Sequence, residues 1–496
     1  MQLSARIMGR FYENNLYFIV RKDMKMKRIF NECHFFTKDD KYFIFVVSNL
    51  RLYEVDKDSY EKIYGIYNNV FDVDWDNDKE FETELLEAEI LISEKDMNET
   101  SQADESKPII NTDNYKLNMS NIVLQVANDC NLNCKYCYGA GGTYNRVREL
   151  MTFETAKKAI DYFVANSGSR KLLYVVFFGG EPLLNFTLIK QVIHYCESLE
   201  EKNGKQFRYS MTTNGTILTD EIADYIKKYN ITVMLSMDGP KEIQDTYRCY
   251  ANGNGSYEVI EKNIERFKEL RGGHLTVRST ICGPNIQMSG IRKSLLNAGF
   301  TNVVMSLVDI DESSPLAITK EQKDELLKQY EILAEEFVND IKAHKPPNNR
   351  YFFEILEKLY FKRATIRACS AGLGGFAIGT DGNIYPCQRF MGMQDYIVGD
   401  INSEIDISKI LPYFHANVEE KKDCQHCWGR YLCGGACMNL CVTRGGGIME
   451  TPKELCDIYL AIYEIVLKIY YELKNWDDDY FRNYLEKTKK EVEKEK

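Results

Sequence analysis

Six short runs rich in β-branched and aromatic residues, at 121–126, 173–178, 208–213, 232–237, 276–281 and 302–307, alternate with amphipathic stretches at 152–166, 187–202, 219–229, 256–270 and 289–298. A chain that repeats strand and helix in this way builds a parallel sheet, because each helix returns the chain to start the next strand in the same direction. The runs are apolar almost throughout, as in VVFF at 175–178, so both faces of the sheet are expected to be covered. Six such units fit a partial barrel or an open doubly wound sheet, and periodicity does not separate the two. Thr152, Thr219 and Ser256 stand where helix caps belong.

The 496 residues exceed one core, and at about 150 residues per domain they suggest roughly three domains. Hydrophobic residues at 44% and aromatics at 12% exclude global disorder, and a net charge of −11 disfavours phosphate-tracking nucleic-acid binding. Apolar runs fall short of the roughly 18 residues a membrane span needs, and the first residues lack the apolar core of a signal peptide, so a soluble cytoplasmic protein is expected. Residues 1–92 read as a small α+β domain, with Asp58 or Ser59 capping a helix; 93–117 are polar and read as a linker. The barrel-like region spans 118–310, a charged helical bridge 311–365, a Cys- and Gly-rich region with a final apolar helix 366–473, and a charged, solvated tail 474–496.

Fifteen cysteines are too dilute for a disulfide scaffold, and their placement points to metal. Cys130, Cys134 and Cys137 fall in eight residues directly after the first strand run, at the end of a parallel strand where such folds put their chemistry. Structural zinc wants four ligands, and no fourth is close in sequence. Three thiolates on an iron–sulfur cube leave one iron able to bind a guest. Eight more cysteines lie between 369 and 456, while Cys33, Cys196, Cys249 and Cys282 lack partners at ligand spacing and read as buried small hydrophobes.

The pattern Cys130-x3-Cys134-x2-Cys137, with Tyr136 before the last thiol, resembles the signature of the radical S-adenosylmethionine (SAM) superfamily. Gly179-Gly180-Glu181-Pro182, at the end of the second strand run, is similar to the GGEP element with which those enzymes hold the methionyl amino group. The resemblance implies an α/β fold with a partial (β/α)6 TIM-like barrel, a [4Fe–4S] cluster on the three thiols, and SAM bound to the open iron. It also implies cleavage of SAM to a 5′-deoxyadenosyl radical that abstracts hydrogen from unactivated carbon. Polar groups near the SAM ribose and carboxylate would come from Asn214, Ser236, Asp238 and Arg248, with Ser236 the ribose contact. No catalytic acid or base is singled out.

Cys369 and Cys387, with Gly382 between them, then Cys424-x2-Cys427-x5-Cys433-x3-Cys437, Cys441 and Cys456, resemble the SPASM extension of radical SAM peptide-modifying enzymes. That resemblance implies two auxiliary [4Fe–4S] clusters, three in all. Cys424, Cys427, Cys433 and Cys456 would bind the outer one and Cys369, Cys387 and Cys437 the inner one. Residue 375 is glycine where some relatives place a further cysteine, so either Cys441 completes the inner cluster or an iron stays open to a substrate thiolate. His426, within Cys424–Cys427, reads as a neighbour of the cluster.

In such peptide maturases a winged-helix-like, leader-binding domain often precedes the barrel, and residues 1–92 have the matching size and place. The whole resembles a maturase that forms thioether cross-links in a ribosomally made, cysteine-containing precursor with a leader, fed by a low-potential donor such as ferredoxin or flavodoxin. Carbon–carbon or carbon–oxygen cross-linking and anaerobic sulfatase maturation are the nearby alternatives. The non-enzymatic ones are an iron–sulfur electron carrier and a peptide-binding chaperone.

Overall fold

The computed structural model describes residues 29–70, 72–75, 77–92 and 115–494. Its first strands are β1 (Ile29–Phe30), β2 (Cys33–Lys38), β3 (Lys41–Val46), β4 (Arg51–Val55) and β5 (Leu91–Ile92). Then follow β6 (Asn121–Ala127), β7 (Leu172–Gly179), β8 (Gln206–Thr213), β9 (Thr232–Ser236), β10 (Thr276–Ile281), β11 (Asn302–Leu307), β12 (Gly375–Ile378), β13 (Asn383–Tyr385) and β14 (Gly399–Asp400).

Two compact units divide the chain. Among the described residues, the smaller comprises those up to Cys33 together with 61–92, and the larger His34–Tyr60 and 115–494. In the smaller unit β1 pairs antiparallel with β5, and Leu85 of the helix Lys79–Glu87 is buried. The sheet β2-β3-β4, which the sequence groups with the rest of 1–92, falls almost wholly in the larger unit. Residues 1–28 and most of the expected linker lie outside the described residues. The helix Lys57–Tyr67 is capped not by Asp58 or Ser59 but by Asp56, whose carboxylate accepts from Ser59 N at 2.9 Å and Ser59 Oγ at 2.6 Å. A carboxylate just outside the first turn reaches the free N–H groups that residues inside the turn cannot.

The main sheet has nine strands in the order β11-β10-β9-β8-β7-β6-β12-β13-β14. Strands β6 to β11 are parallel neighbours in chain order, the partial (β/α)6 barrel. Helices Phe153–Ala165, Phe186–Asn203, Asp220–Lys228, Tyr257–Leu270 and Met288–Asn297 cover it, within two residues of the expected bounds. Ile122, Leu124, Leu173, Val175 and Phe177 are buried beneath them. Thr152 and Thr219 cap as expected, accepting from Thr155 N and Ile222 N at 3.1 and 3.3 Å. Ser256 does not cap, because its hydroxyl is taken by Gln244 and the Arg248 carbonyl.

β12 extends the sheet by lying parallel to β6, from Gly375 opposite Asn121 to Ile378 opposite Leu124, and β13 and β14 follow antiparallel. The Cys-rich region is thereby stitched to the strand that leads into the first three thiols. The helix Lys453–Lys474 packs on the bridge helix Lys323–Lys342, with Lys342 Nζ 2.6 Å from Glu472. Among the described residues no helix is long and apolar enough to cross a membrane.

One expectation is corrected at the end of the chain. Residues 480–494 form a helix, Tyr480–Lys494, rather than a frayed tail. Phe481 and Leu485, four residues apart and so on one helix face, are buried in the core beneath an otherwise charged surface. Leu485→Ala should therefore lower the unfolding free energy by about 2–5 kcal/mol in denaturant titration; an unchanged midpoint would mean that the tail does not pack.

Candidate active site

The loop after β6 carries Cys130, Cys134 and Cys137, and the end of β7 runs against it. Gly180 N donates to Ala127 O at 3.0 Å and Glu181 N to Asp129 O at 2.9 Å. This approach admits no side chain: a Cβ on Gly179, whose φ is +145°, would lie 2.2 Å from Ala127 O, and one on Gly180 would lie 2.2 Å from Asp129 O. The two glycines of the motif are therefore required by the backbone crossing itself.

That crossing points Glu181 inward, where it is fully buried. Its Oε1 accepts from Leu183 N at 3.0 Å and Thr213 Oγ1 at 2.8 Å, and its Oε2 from Asn214 N at 2.8 Å. Burial pushes the carboxyl above its ordinary range, and these donors oppose that shift. No ion pair neutralises it among the described residues, so an ammonium group is the partner that the site lacks. Asn214 continues the link, its Nδ2 donating to Asn131 Oδ1 at 2.8 Å and lying 3.8 Å from Cys130 Sγ, while Thr216 and Asn131 close a ring of side-chain bonds around it.

A second lock holds the loop from the other side. The Tyr136 hydroxyl donates to Asp238 and accepts from Arg248 Nη1 at 3.0 Å; the other Asp238 oxygen accepts from Thr280 N at 3.0 Å. Asp238 N donates to Gln244 Oε1, Gln244 Nε2 to Ser256 Oγ, and Ser256 Oγ to the Arg248 carbonyl. Tyr136 and Asp238 are thus engaged with each other and fix the thiol loop. Arg248 keeps a buried Nε without a partner, and Ser236 stands half-buried at the end of β9. Burial pushes the Cys130 thiol up to about 12 and raises Cys134, where Arg248 opposes the rise, so both thiolates need cationic charge against them. The donor set, the orphaned Nε and the buried Glu181 without an ion pair among the described residues fit a thiolate-bound cluster with a zwitterionic guest.

Of the four cysteines read as buried bystanders, Cys196 and Cys282 are buried. Cys33 and Cys249 depart from that reading: both are half-buried, and the Cys249 carbonyl accepts from Asn133 N at 2.7 Å, inside the thiol loop. Sequence reasoning missed Thr280, Gln244 and Asn131, while Thr213 reads with Asn214 and Gly215 as ending a strand near the SAM ribose and carboxylate. Thr280, near the end of the predicted strand 276–281, and Asn131, beside Cys130, carried a local signal; Gln244 carried none.

The remaining thiols fall into two groups whose members act on one another electrostatically. Cys369, Cys387 and Cys437 form one, and Cys424, Cys427, Cys433 and Cys456 the other. Cys441 is buried and feels both Cys437 and Cys433. Among the described residues no three His, Cys, Asp or Glu side chains converge on a point as a single metal ion requires; a cube takes each thiolate on a different iron, so its ligands need not meet. Arg389, two residues after Cys387, pairs with Asp309 beyond β11 and stacks over Tyr138 at 5.0 Å, joining the two cysteine regions in one wall.

Residues 124–296 match the family model of the radical SAM superfamily. The chain is 24% identical over 476 residues, 89% of its length and 96% of the relative's, to the radical SAM cyclopropyl synthase TigE of Paramaledivibacter caminithermalis. It is 27% identical over 337 residues, 64% of its length and 87% of the relative's, to a cysteine-type anaerobic sulfatase-maturating enzyme of Clostridium novyi. The solved structure of anSMEcpe with bound AdoMet shares the fold, with a TM-score of 0.63 over 74% of this chain and 98% of that one at 19% identity.

Gly180→Ala places a methyl group against Asp129 and Gly142, with no flexible side chain to yield. After anaerobic reconstitution this variant should lose about four irons per chain, one cube's worth, relative to wild type in a colorimetric assay; full iron content would contradict the crossing's role.

Proposed function

We propose that this radical SAM enzyme oxidatively modifies a ribosomally made precursor peptide, joining two of its atoms with loss of two hydrogens. The observation that carries the reading is the buried Glu181, without an ion-pair partner among the described residues and held by Thr213 and Asn214 beside Cys130. When bound, SAM and a reduced cluster on Cys130, Cys134 and Cys137 would supply a radical able to take hydrogen from an unactivated carbon. Glu181 would receive the methionyl ammonium, Arg248 the carboxylate and Ser236 the ribose, while the Tyr136–Asp238 lock keeps the thiols in place. Cys424, Cys427, Cys433 and Cys456 would hold an outer auxiliary cluster, and Cys369, Cys387 and Cys437 an inner one, with Cys441 the eighth candidate.

The electron balance favours auxiliary clusters. One hydrogen atom leaves a substrate carbon and a bond forms to the resulting radical centre as the partner atom loses a proton; an auxiliary cluster held by the second set of thiols would take the one surplus electron. Thioether formation uses a cysteine thiol as the second partner. Carbon–carbon bond formation is the second reading, favoured by similarity along nearly the whole chain to a relative named as a cyclopropyl synthase. Both remove two hydrogens, but only the first consumes a thiol. The antiparallel sheet β2-β3-β4 has edges where an extended leader could add as a strand, and a ferredoxin or flavodoxin is the class of donor that fits.

Incubation with the product of a short reading frame beside the gene should give a mass loss of two hydrogens per modification. Alkylation with iodoacetamide then separates the readings: one thiol lost per modification means a thioether, and an unchanged count means a carbon–carbon bond. Replacing Cys130, Cys134 and Cys137 together by Ala should abolish the mass change, and a persisting change would refute the assignment of the thiols.

A further inference from the structure

Lys421 is fully buried, yet no carboxylate pairs with it among the described residues. Its ammonium donates to the Gly435 carbonyl at 2.9 Å and to Cys441 Sγ at 3.1 Å. A buried ammonium facing only a carbonyl and a neutral thiol is strongly disfavoured, since neither group repays the loss of water. Its position is fixed from both ends. Lys421 N donates to Asn417 O, Cys424 N donates to Lys421 O at 2.9 Å, and the stem crosses over Gly435 to reach Cys441. The thiols that feel its charge are Cys441, Cys424 of one group and Cys369 of the other.

We propose that Lys421 is the built-in counter-charge of the auxiliary iron–sulfur sites, a positioning residue that makes them easier to reduce. The inference rests on the auxiliary-cluster reading above. A thiolate-bound cube carries net negative charge, which grows by one when it accepts an electron, so a cation held nearby stabilises the reduced form more than the oxidised one. Lys421 forms and breaks no bond. It would lower the free energy of the state in which an auxiliary cluster holds the electron left by the substrate, and its N–H···S bond fixes the Cys441 side chain.

The test uses Lys421→Met and Lys421→Gln in the full chain, reconstituted anaerobically and followed by EPR-monitored redox titration. With iron content at the wild-type level, the midpoint of at least one auxiliary signal should move to more negative potential in both variants, while that of the SAM-binding cluster stays put; unmoved auxiliary midpoints overturn the proposal. Should the variants not retain auxiliary iron, thermal unfolding of the iron-free proteins decides. A counter-charge without its cluster is a liability, so iron-free Lys421→Met should melt above iron-free wild type; melting below it marks an ordinary packing role and overturns the proposal. A wild-type protein that binds only about four irons would instead sink the auxiliary-cluster reading itself, which iron analysis shows before any titration begins.

Discussion

The site depends on one backbone crossing, in which the carbonyls of Ala127 and Asp129 press on Gly179 and Gly180 so closely that neither position tolerates a Cβ. This contact sets the distance between the thiol loop and Glu181, because the same peptide units that donate to Ala127 and Asp129 start the short turn that Glu181 caps. From Glu181 the constraint passes through Asn214 to the end of β8 and back to Cys130. On the opposite side Tyr136, Asp238 and Arg248 tie the loop to β9 and β10. The thiols are thus held by backbone geometry and a connected set of polar groups in which the buried Arg248 Nε alone is left over, an arrangement that keeps a cofactor site from relaxing when its guest leaves.

Among the described residues, Glu181 and Lys421 are buried charges of opposite sign without an ion-pair partner, and each suits a different guest. Glu181 is held by the neutral donors Leu183, Thr213 and Asn214, with Arg248 acting on it only from beyond hydrogen-bond reach, which leaves room for the ammonium end of a zwitterion. Lys421 is a cation facing a thiol and a carbonyl, which suits an anionic cluster. Interiors rarely leave a charge uncompensated, so such residues report on what the folded protein binds more sharply than its paired surface charges do.

Much of this was legible in the sequence because it is written locally. Strand and helix periods gave the six parallel units, and the spacing of Cys130, Cys134 and Cys137 with the Gly179–Glu181 motif marked the site. What escaped was non-local. Strand β12, the residues GFAI alone, has no period to read, and only its pairing with β6 makes it a strand. Ser256 looks like a cap in sequence and is instead claimed by Gln244 across the fold. Phe481 and Leu485 are hidden among lysines and glutamates, so composition suggested a tail where spacing of four supports a packed face. Lys421 reads as an ordinary surface lysine beside Lys422, and nothing but its burial reveals otherwise.

The central claim is that the crossing of β7 over the thiol loop builds a SAM-cleaving centre. Its most direct test is strictly anaerobic: the reconstituted protein is reduced with dithionite in the presence of SAM, and 5′-deoxyadenosine and methionine are quantified by chromatography. The account predicts that both form in equal amounts. A protein carrying its full iron complement that yields neither would contradict it.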